Sequence, residues 1–317
     1  MKAATFFDGT AWREGVVELA DGRVRLRDER PTPDLPRIPG AITGGFTDHH
    51  VHLQLVAHGL LAGSRLGRVI DLGGNPQVLS RLAVQAVAID YAGAFLTAPG
   101  GYPSDRDWAP EGSVREITDA DSAAAAVAGM AAAGATRLKV TSNSAAGPVL
   151  SDDLFRAIVR AADEHGLAVV AHAEGAGEAQ RVVRLGASHL AHAPFTERLD
   201  DAEIVRQAAS ASWISTLAIH EDPERAIAID NVRRFHAAGG TVLYGTDLGN
   251  GPMPVDLNPR EIAALREAGL DDAALLRALA PGDPFDPTSV LLLIPGGTPS
   301  SADPLDARPL TPADLKV

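Results

Sequence analysis

The chain contains no cysteine. Disulfides, thiolate metal sites and cysteine nucleophiles are therefore excluded, and any transition metal must be held by histidine, carboxylate or a modified lysine. Basic side chains are in the minority: 28 Lys and Arg against 41 Asp and Glu give a formal charge of -13 over 317 residues. Such a surface repels phosphate backbones and anionic lipid, which argues against nucleic acid or a membrane as the main partner. No run reaches the ~18 apolar residues that a membrane-spanning helix needs. Asp8 and Glu14 also interrupt the N-terminus before any hydrophobic stretch of signal-peptide length. The expectation is a soluble cytoplasmic protein acting on a small molecule, compatible with a homo-oligomer.

The remaining composition is that of a globular protein. An apolar content of 45% suffices for a sizeable core, and the length suits two domains or one large α/β barrel with an appendage. Residues 1–40 carry short alternating segments (Gly15–Leu19, Arg23–Leu26), Asp8-Gly9 and Asp21-Gly22 turns, and a proline-rich linker over Pro31–Pro39. This pattern predicts a few antiparallel strands. From Ala41 the texture changes. The predicted strands are Ala41–Leu53, Arg68–Leu72, Ala86–Leu96, Thr136–Thr141, Ala168–Ala173, His189–Ala193, Trp213–Ile219 and Thr241–Asp247. Amphipathic segments separate most of them, among them Ser122–Ala133, Asp152–His165, Glu178–Leu185, Ala202–Ala211 and Pro223–Ala238. Gly134, Gly166, Gly186 and Gly240 stand where helices should stop. Strands alternating with helices over residues 41–280 fit a (β/α)8 TIM barrel, whose typical length is about 250 residues; an open doubly wound sheet is the alternative. Residues 281–317, with a strand-like run at Val290–Ile294, are expected to return to the N-terminal strands as a small β-sandwich-like domain.

The strongest chemical signal is Asp48-His49-His50-Val51-His52 at the end of a hydrophobic strand. Alternate side chains of a strand share a face, so His50 and His52 can grip one cation while His49 points away. His172, His192 and Asp247 close three further predicted strands, and Lys139 sits inside another that otherwise calls for burial. Singly, each has an ordinary reading: a hydrogen-bonded histidine, a snorkelling lysine, a helix-capping aspartate. In a barrel, however, all C-terminal strand ends meet at one mouth, where active sites lie.

Gly44-Gly45-Phe46-Thr47-Asp48-His49-His50-Val51-His52 resembles the PGF(I/T)D-x-H-x-H signature of the metal-dependent amidohydrolase superfamily. The resemblance continues through Leu138-Lys139-Val140, Ala171-His172-Ala173-Glu174-Gly175, His189-Leu190-Ala191-His192 and Tyr244–Asn250, and is similar in order and spacing to the imidazolonepropionase-like and prolidase-like branch. It implies a binuclear centre, usually zinc. His50, His52 and Asp247 would bind one ion, His172 and His192 the other, and a CO2-derived carbamate on Lys139 would bridge the two. Asp247 would also move the proton. The implied activity is hydrolysis of a C–N bond in a small amide, lactam or cyclic imide, or in a dipeptide. Alternatives are a mononuclear deaminase using Glu174 or Glu178, a lactonase or esterase, and a non-catalytic binding barrel. The chain departs from the pattern in having Gly44 where proline is common, Glu174 where many relatives carry a second histidine, and Gly100-Gly101-Tyr102 where Gly-Gly-His is frequent. Tyr102, Asn143 and His220 are the candidate substrate contacts, with His58 and Asn250 as secondary candidates.

Overall fold

Ala4 and Phe6, two apart and so on one face of a strand, pack with Val17, Leu26, Ile42 and Leu293 in a small core of their own, while Phe7 on the opposite face joins the main core. This two-sided burial explains a first strand that the sequence pattern did not reveal, β1 (Lys2–Phe7). It is followed by β2 (Trp12–Ala20), β3 (Arg23–Arg27) and β4 (Arg37–Gly44). Asp21 and Gly22 both take positive φ (51° and 76°), the geometry that joins β2 and β3 by a two-residue hairpin turn. The computed structural model describes residues 1–84 and 86–316; Val317, the end of the expected returning segment, lies outside the described residues.

The next strands are all parallel. β5 (Phe46–Val51), β6 (Leu66–Asp71) and β7 (Ala88–Tyr91) form one sheet. A second sheet contains β8 (Phe95–Thr97), β9 (Val114–Glu116), β10 (Arg137–Asn143), β11 (Ala168–Glu174), β12 (His189–Leu190), β13 (Ser212–Ile214) and β14 (Thr241–Leu243), in the order β14-β13-β12-β11-β10-β8-β9. β15 (Leu291–Pro295) and β16 (Arg308–Pro309) return to the first sheet, whose order is β16-β15-β4-β1-β2-β3.

Three expected strands are broken. Ala41–Leu53 divides at Gly45 between β4, which pairs with β1 and β15, and β5, which pairs with β6; glycine is required at the junction because a Cβ there would lie 2.6 Å from the Cα of Gly67. Ala86–Leu96 divides at Gly93, which has φ +77° and cannot continue an extended strand. Trp213–Ile219 ends at Ile214 and gives way to a 3-10 turn over Leu217–Ile219. The strand order thus gives two parallel sheets where the sequence predicted one ring of eight. On one side they are joined by backbone hydrogen bonds from His49 N to Tyr244 O (3.0 Å) and from His52 N to Leu248 O (2.7 Å).

Five helices lie on the expected amphipathic segments, α2 (Ala120–Ala132), α3 (Asp152–Glu164), α4 (Glu178–Arg184), α5 (Asp201–Ala208) and α6 (Glu224–Ala237); they are preceded by the short α1 (Pro76–Leu79), which the sequence pattern did not reveal, and followed by α7 (Pro259–Glu267) and α8 (Asp272–Ala278). Their starts are chemically marked. Asp119, Ser151, Asp200, Asn258 and Asp271 each accept a first-turn N–H. Phe155, Ile158 and Ala162 form the buried stripe of α3. Gly134, Gly166 and Gly186 hold left-handed stops as expected, but after α6 it is Gly239, not Gly240, that takes positive φ. A compact layer of Ile70, Leu72, Ala92, Val170, Ala191 and Ile214, drawn from both parallel sheets, lies apart from the main core. No helix among the described residues is long and apolar enough to cross a membrane.

Candidate active site

The histidines at the end of β5 are fixed by their backbone surroundings. His50 Nδ1 lies 2.8 Å from Ala191 O, and His52 Nδ1 lies 2.9 Å from Gly73 O. Carbonyls only accept, so each Nδ1 donates and each Nε2 is left with a lone pair in the neutral ring. Both Nε2 atoms face one oxygen, Asp247 Oδ1, at 3.1 and 3.2 Å. All three residues are buried, and their ligand atoms lie within 4.8 Å of one another. Three acceptors converging in this way need a shared cation or an extra proton. Burial opposes an extra proton on His52, but the hydrogen bond and charge of Asp247 outweigh it and raise that ring's affinity for one. Asp247 itself is held well below the usual carboxylate range: burial pushes it up, and His50, His52 and His192 more than reverse this. Its φ of +55° is a strained backbone for a non-glycine residue, and Asn250 Nδ2 donates to its second oxygen at 2.9 Å.

Lys139 on β10 is buried with Nζ 3.3 Å from His50 Nε2. Desolvation pulls its amine down to about 7, so a neutral, nucleophilic amine is accessible near neutral pH. His192 lies beside His50, with ring centres 4.7 Å apart and the rings tilted by 46°, and its Nδ1 meets Thr216 Oγ1 at 2.9 Å. His172 follows at 4.9 Å from His192. Its Nε2 contacts Glu174 Oε2 at 3.1 Å, leaving Nδ1 as its free ligand atom. Burial lowers the basicity of both rings, strongly for His192. The six residues expected to form the centre are thus neighbours, although among the described residues only His50, His52 and Asp247 form the tight group. These donors suit a divalent metal: neutral imidazoles with oriented lone pairs, an ionised carboxylate and a deprotonatable lysine.

These residues line a cavity of about 480 Å³. Tyr102 lines it, stacked on His172 at 5.3 Å, as does His220, stacked on Phe195 at 4.2 Å. Asn143 does not line it. Its Nδ2 donates to Glu174 Oε2 at 2.7 Å and its Oδ1 accepts from Ala145 N, so from behind the wall it positions Glu174. Glu174 and Asn250 face the cavity, and His58 is not among the lining residues. Three contributors carried no sequence signal. Thr216 sits at φ +45° to reach His192. Asp71 accepts from Leu53 N and Gly73 N and so sets the carbonyl that orients His52. Trp108 comes from an irregular loop. Asp48, visible in the motif but without an assigned role, accepts from the backbone of His50 and Thr246 and from the Thr246 hydroxyl, tying β5 to the Asp247 loop.

No family model and no curated protein sequence matches the chain. Solved structures do match. An amidohydrolase is similar over 96% of this chain and 93% of its own, with TM-score 0.70 and 18% identity. A Xaa-Pro dipeptidase with methionine bound in its active site covers 94% of each chain at TM-score 0.69 and 16% identity. Phenylurea hydrolase B covers 98% of this chain and 95% of its own at TM-score 0.67 and 16% identity. The chain therefore has the fold shared by amidohydrolase and dipeptidase structures, the fold that the sequence motifs resembled.

Proposed function

We propose that the chain is a metal-dependent hydrolase that cleaves the C–N bond of a small amide, lactam or cyclic imide. The observation that carries this reading is the convergence of His50 Nε2, His52 Nε2 and Asp247 Oδ1, with Lys139 Nζ 3.3 Å from the first. We read the two parallel sheets as arcs of one (β/α)8 barrel over 41–280, enclosing the Ile70–Val170–Ile214 layer, and segments 1–40 and 281–317 as a sandwich-like partner. His50, His52 and Asp247 would hold one zinc ion, His172 and His192 a second, with carbamylated Lys139 between them. Bound there, divalent metal supplies water acidified to a pKa of about 7 and polarisation of the substrate carbonyl.

The protein's own groups do the rest. Asp247 accepts the proton of the attacking water and returns it to the leaving nitrogen, so that amide and water become acid and amine. Ala191 O and Gly73 O keep His50 and His52 in the required tautomer, and Thr216 Oγ1 orients the His192 ring through Nδ1. A deaminase with one metal has no use for Lys139 beside His50, which favours the binuclear reading. Elemental analysis after reconstitution should find two divalent ions per chain. Lys139→Ala should lose at least one of them together with activity, and short-chain carboxylates should restore part of both. No metal uptake by the wild type, or a metal-replete and active Lys139→Ala, would refute the reading.

A further inference from the structure

Beyond the metal-facing residues, the cavity wall is made of rings. Phe95, Tyr102 and Trp108 form one side, with the Trp108 ring 6.0 Å from each of the other two, and the stacked Phe195 and His220 form another. Trp108 is 40% exposed, an aromatic surface left open at a cavity when it could have been buried. Leu55 and Ile219 add apolar area. His220 Nε2 is buried without a hydrogen-bond partner among the described residues, which leaves one polar position for a ligand atom.

Positive charge is missing from this wall. The only cationic side chain among the described lining residues is Lys139, which is buried against His50. The Arg106 guanidinium lies over the Tyr102 ring at 5.7 Å, but it is not a lining group and pairs with Asp105. Glu174 lines the cavity, and its hydrogen bonds from His172 and Asn143 both go to Oε2, so Oε1 takes none from the described residues. A carboxylate on the distal part of a ligand would meet rings and a like charge. A neutral ring would meet surfaces suited to stacking.

We infer, resting on the hydrolase reading above, that the substrate is a neutral aryl-bearing amide, and that compounds carrying a carboxylate away from the scissile bond, dipeptides included, are rejected. The cavity walls, not the metal-facing residues, make this selection.

The test compares matched compounds in two ways. With metal-loaded protein, acetanilide should be hydrolysed with a kcat/KM at least about tenfold above that of 4-acetamidobenzoate and of glycylproline, since like-charge juxtaposition is strongly unfavourable. With metal-free protein, benzamide should quench tryptophan fluorescence with at least about tenfold tighter affinity than 4-carbamoylbenzoate, and Trp108→Phe should remove that signal. Leu55, 36% exposed at the wall, offers a gain-of-function control: Leu55→Arg should bring the two affinities within about threefold by supplying the missing cation. Equal or tighter binding of the carboxylate probe to the wild type, or no detectable binding of either, overturns the inference. A preference for the neutral probe without turnover of any amide supports the inference and counts against the hydrolase reading alone. Hydrolysis of amides with the carboxylated compounds favoured does the reverse.

Discussion

Glu261 is fully buried on the first turn of α7, where Oε1 accepts from Leu217 N at 3.0 Å and Oε2 from Ala218 N at 2.7 Å. It thereby holds the 3-10 turn that delivers Ile219 and His220 to the cavity. Burial raises its carboxyl from 4.5 to about 7, and hydrogen bonds from Ser215, Leu217 and Ala218 only partly offset this. A raised carboxyl contributes stability that is complete below the unfolded value and is lost as pH rises through the folded one. Between pH 5 and pH 8 the wild type should lose about 2–3 kcal/mol from this group, taking 1.36 kcal/mol per unit and the two end points just given. Glu261→Gln is nearly isosteric and neutral throughout, so it should not share that loss. Urea unfolding of both proteins with chelator present, at pH 5 and pH 8, measures the difference directly, provided that the urea dependence of the two is equal. The variant should gain on the wild type by about 2–3 kcal/mol over this range. A stability difference that does not move with pH would mean that Glu261 is ionised in the folded protein at both values, and would refute a carboxyl held neutral by burial.

Two further outcomes concern the site. Asp247→Asn keeps a coordinating oxygen but cannot accept a proton, so kcat should fall roughly 10²–10⁴-fold with a smaller change in KM; steady-state kinetics showing near-wild-type turnover would remove Asp247 from the proton transfer. Thr216→Val preserves volume but takes away the oxygen that meets His192 Nδ1. Metal affinity, measured by competition with a chromogenic chelator, should weaken by about 10–100-fold, the range for loss of an orienting partner, and unchanged affinity would show that the hydroxyl does not orient the ring.

Most of the frame was legible in the sequence because its signals are local. Capping residues such as Asp119 and Ser151, and the buried stripe of α3, act within one or two turns. The residues of the candidate metal site were legible for a related reason: His50, His52 and Asp247 sit at ends of apolar runs, and strand periodicity alone puts the two histidines on one face. What escaped depends on contacts between distant segments. β1 was missed because its two faces enter different cores and leave no alternation to read. The break at Gly45 depends on a change of partner, from β15 before it to β6 after it. Asn143 was expected at the substrate, but its amide is taken by Glu174, a side chain contributed by the neighbouring strand. Thr216 shows the same limit. Nothing in its own sequence neighbourhood distinguishes it from any other threonine, and its importance comes from a backbone angle and a histidine 24 positions away.

The division at Gly45 also bears on how the molecule would wear. Leu291 of β15 pairs with Gly44, the residue just before that division, and His50 lies six positions further along the same chain. Damage near the C-terminal end, whether a protease nick or a frayed strand, therefore loosens the polypeptide immediately leading into the site. Ageing preparations should lose any bound metal while their helices, most of which carry a local side-chain cap, still give an unaltered far-ultraviolet spectrum. Shortening this protein for use as a reagent should accordingly begin in an exposed loop and spare both termini.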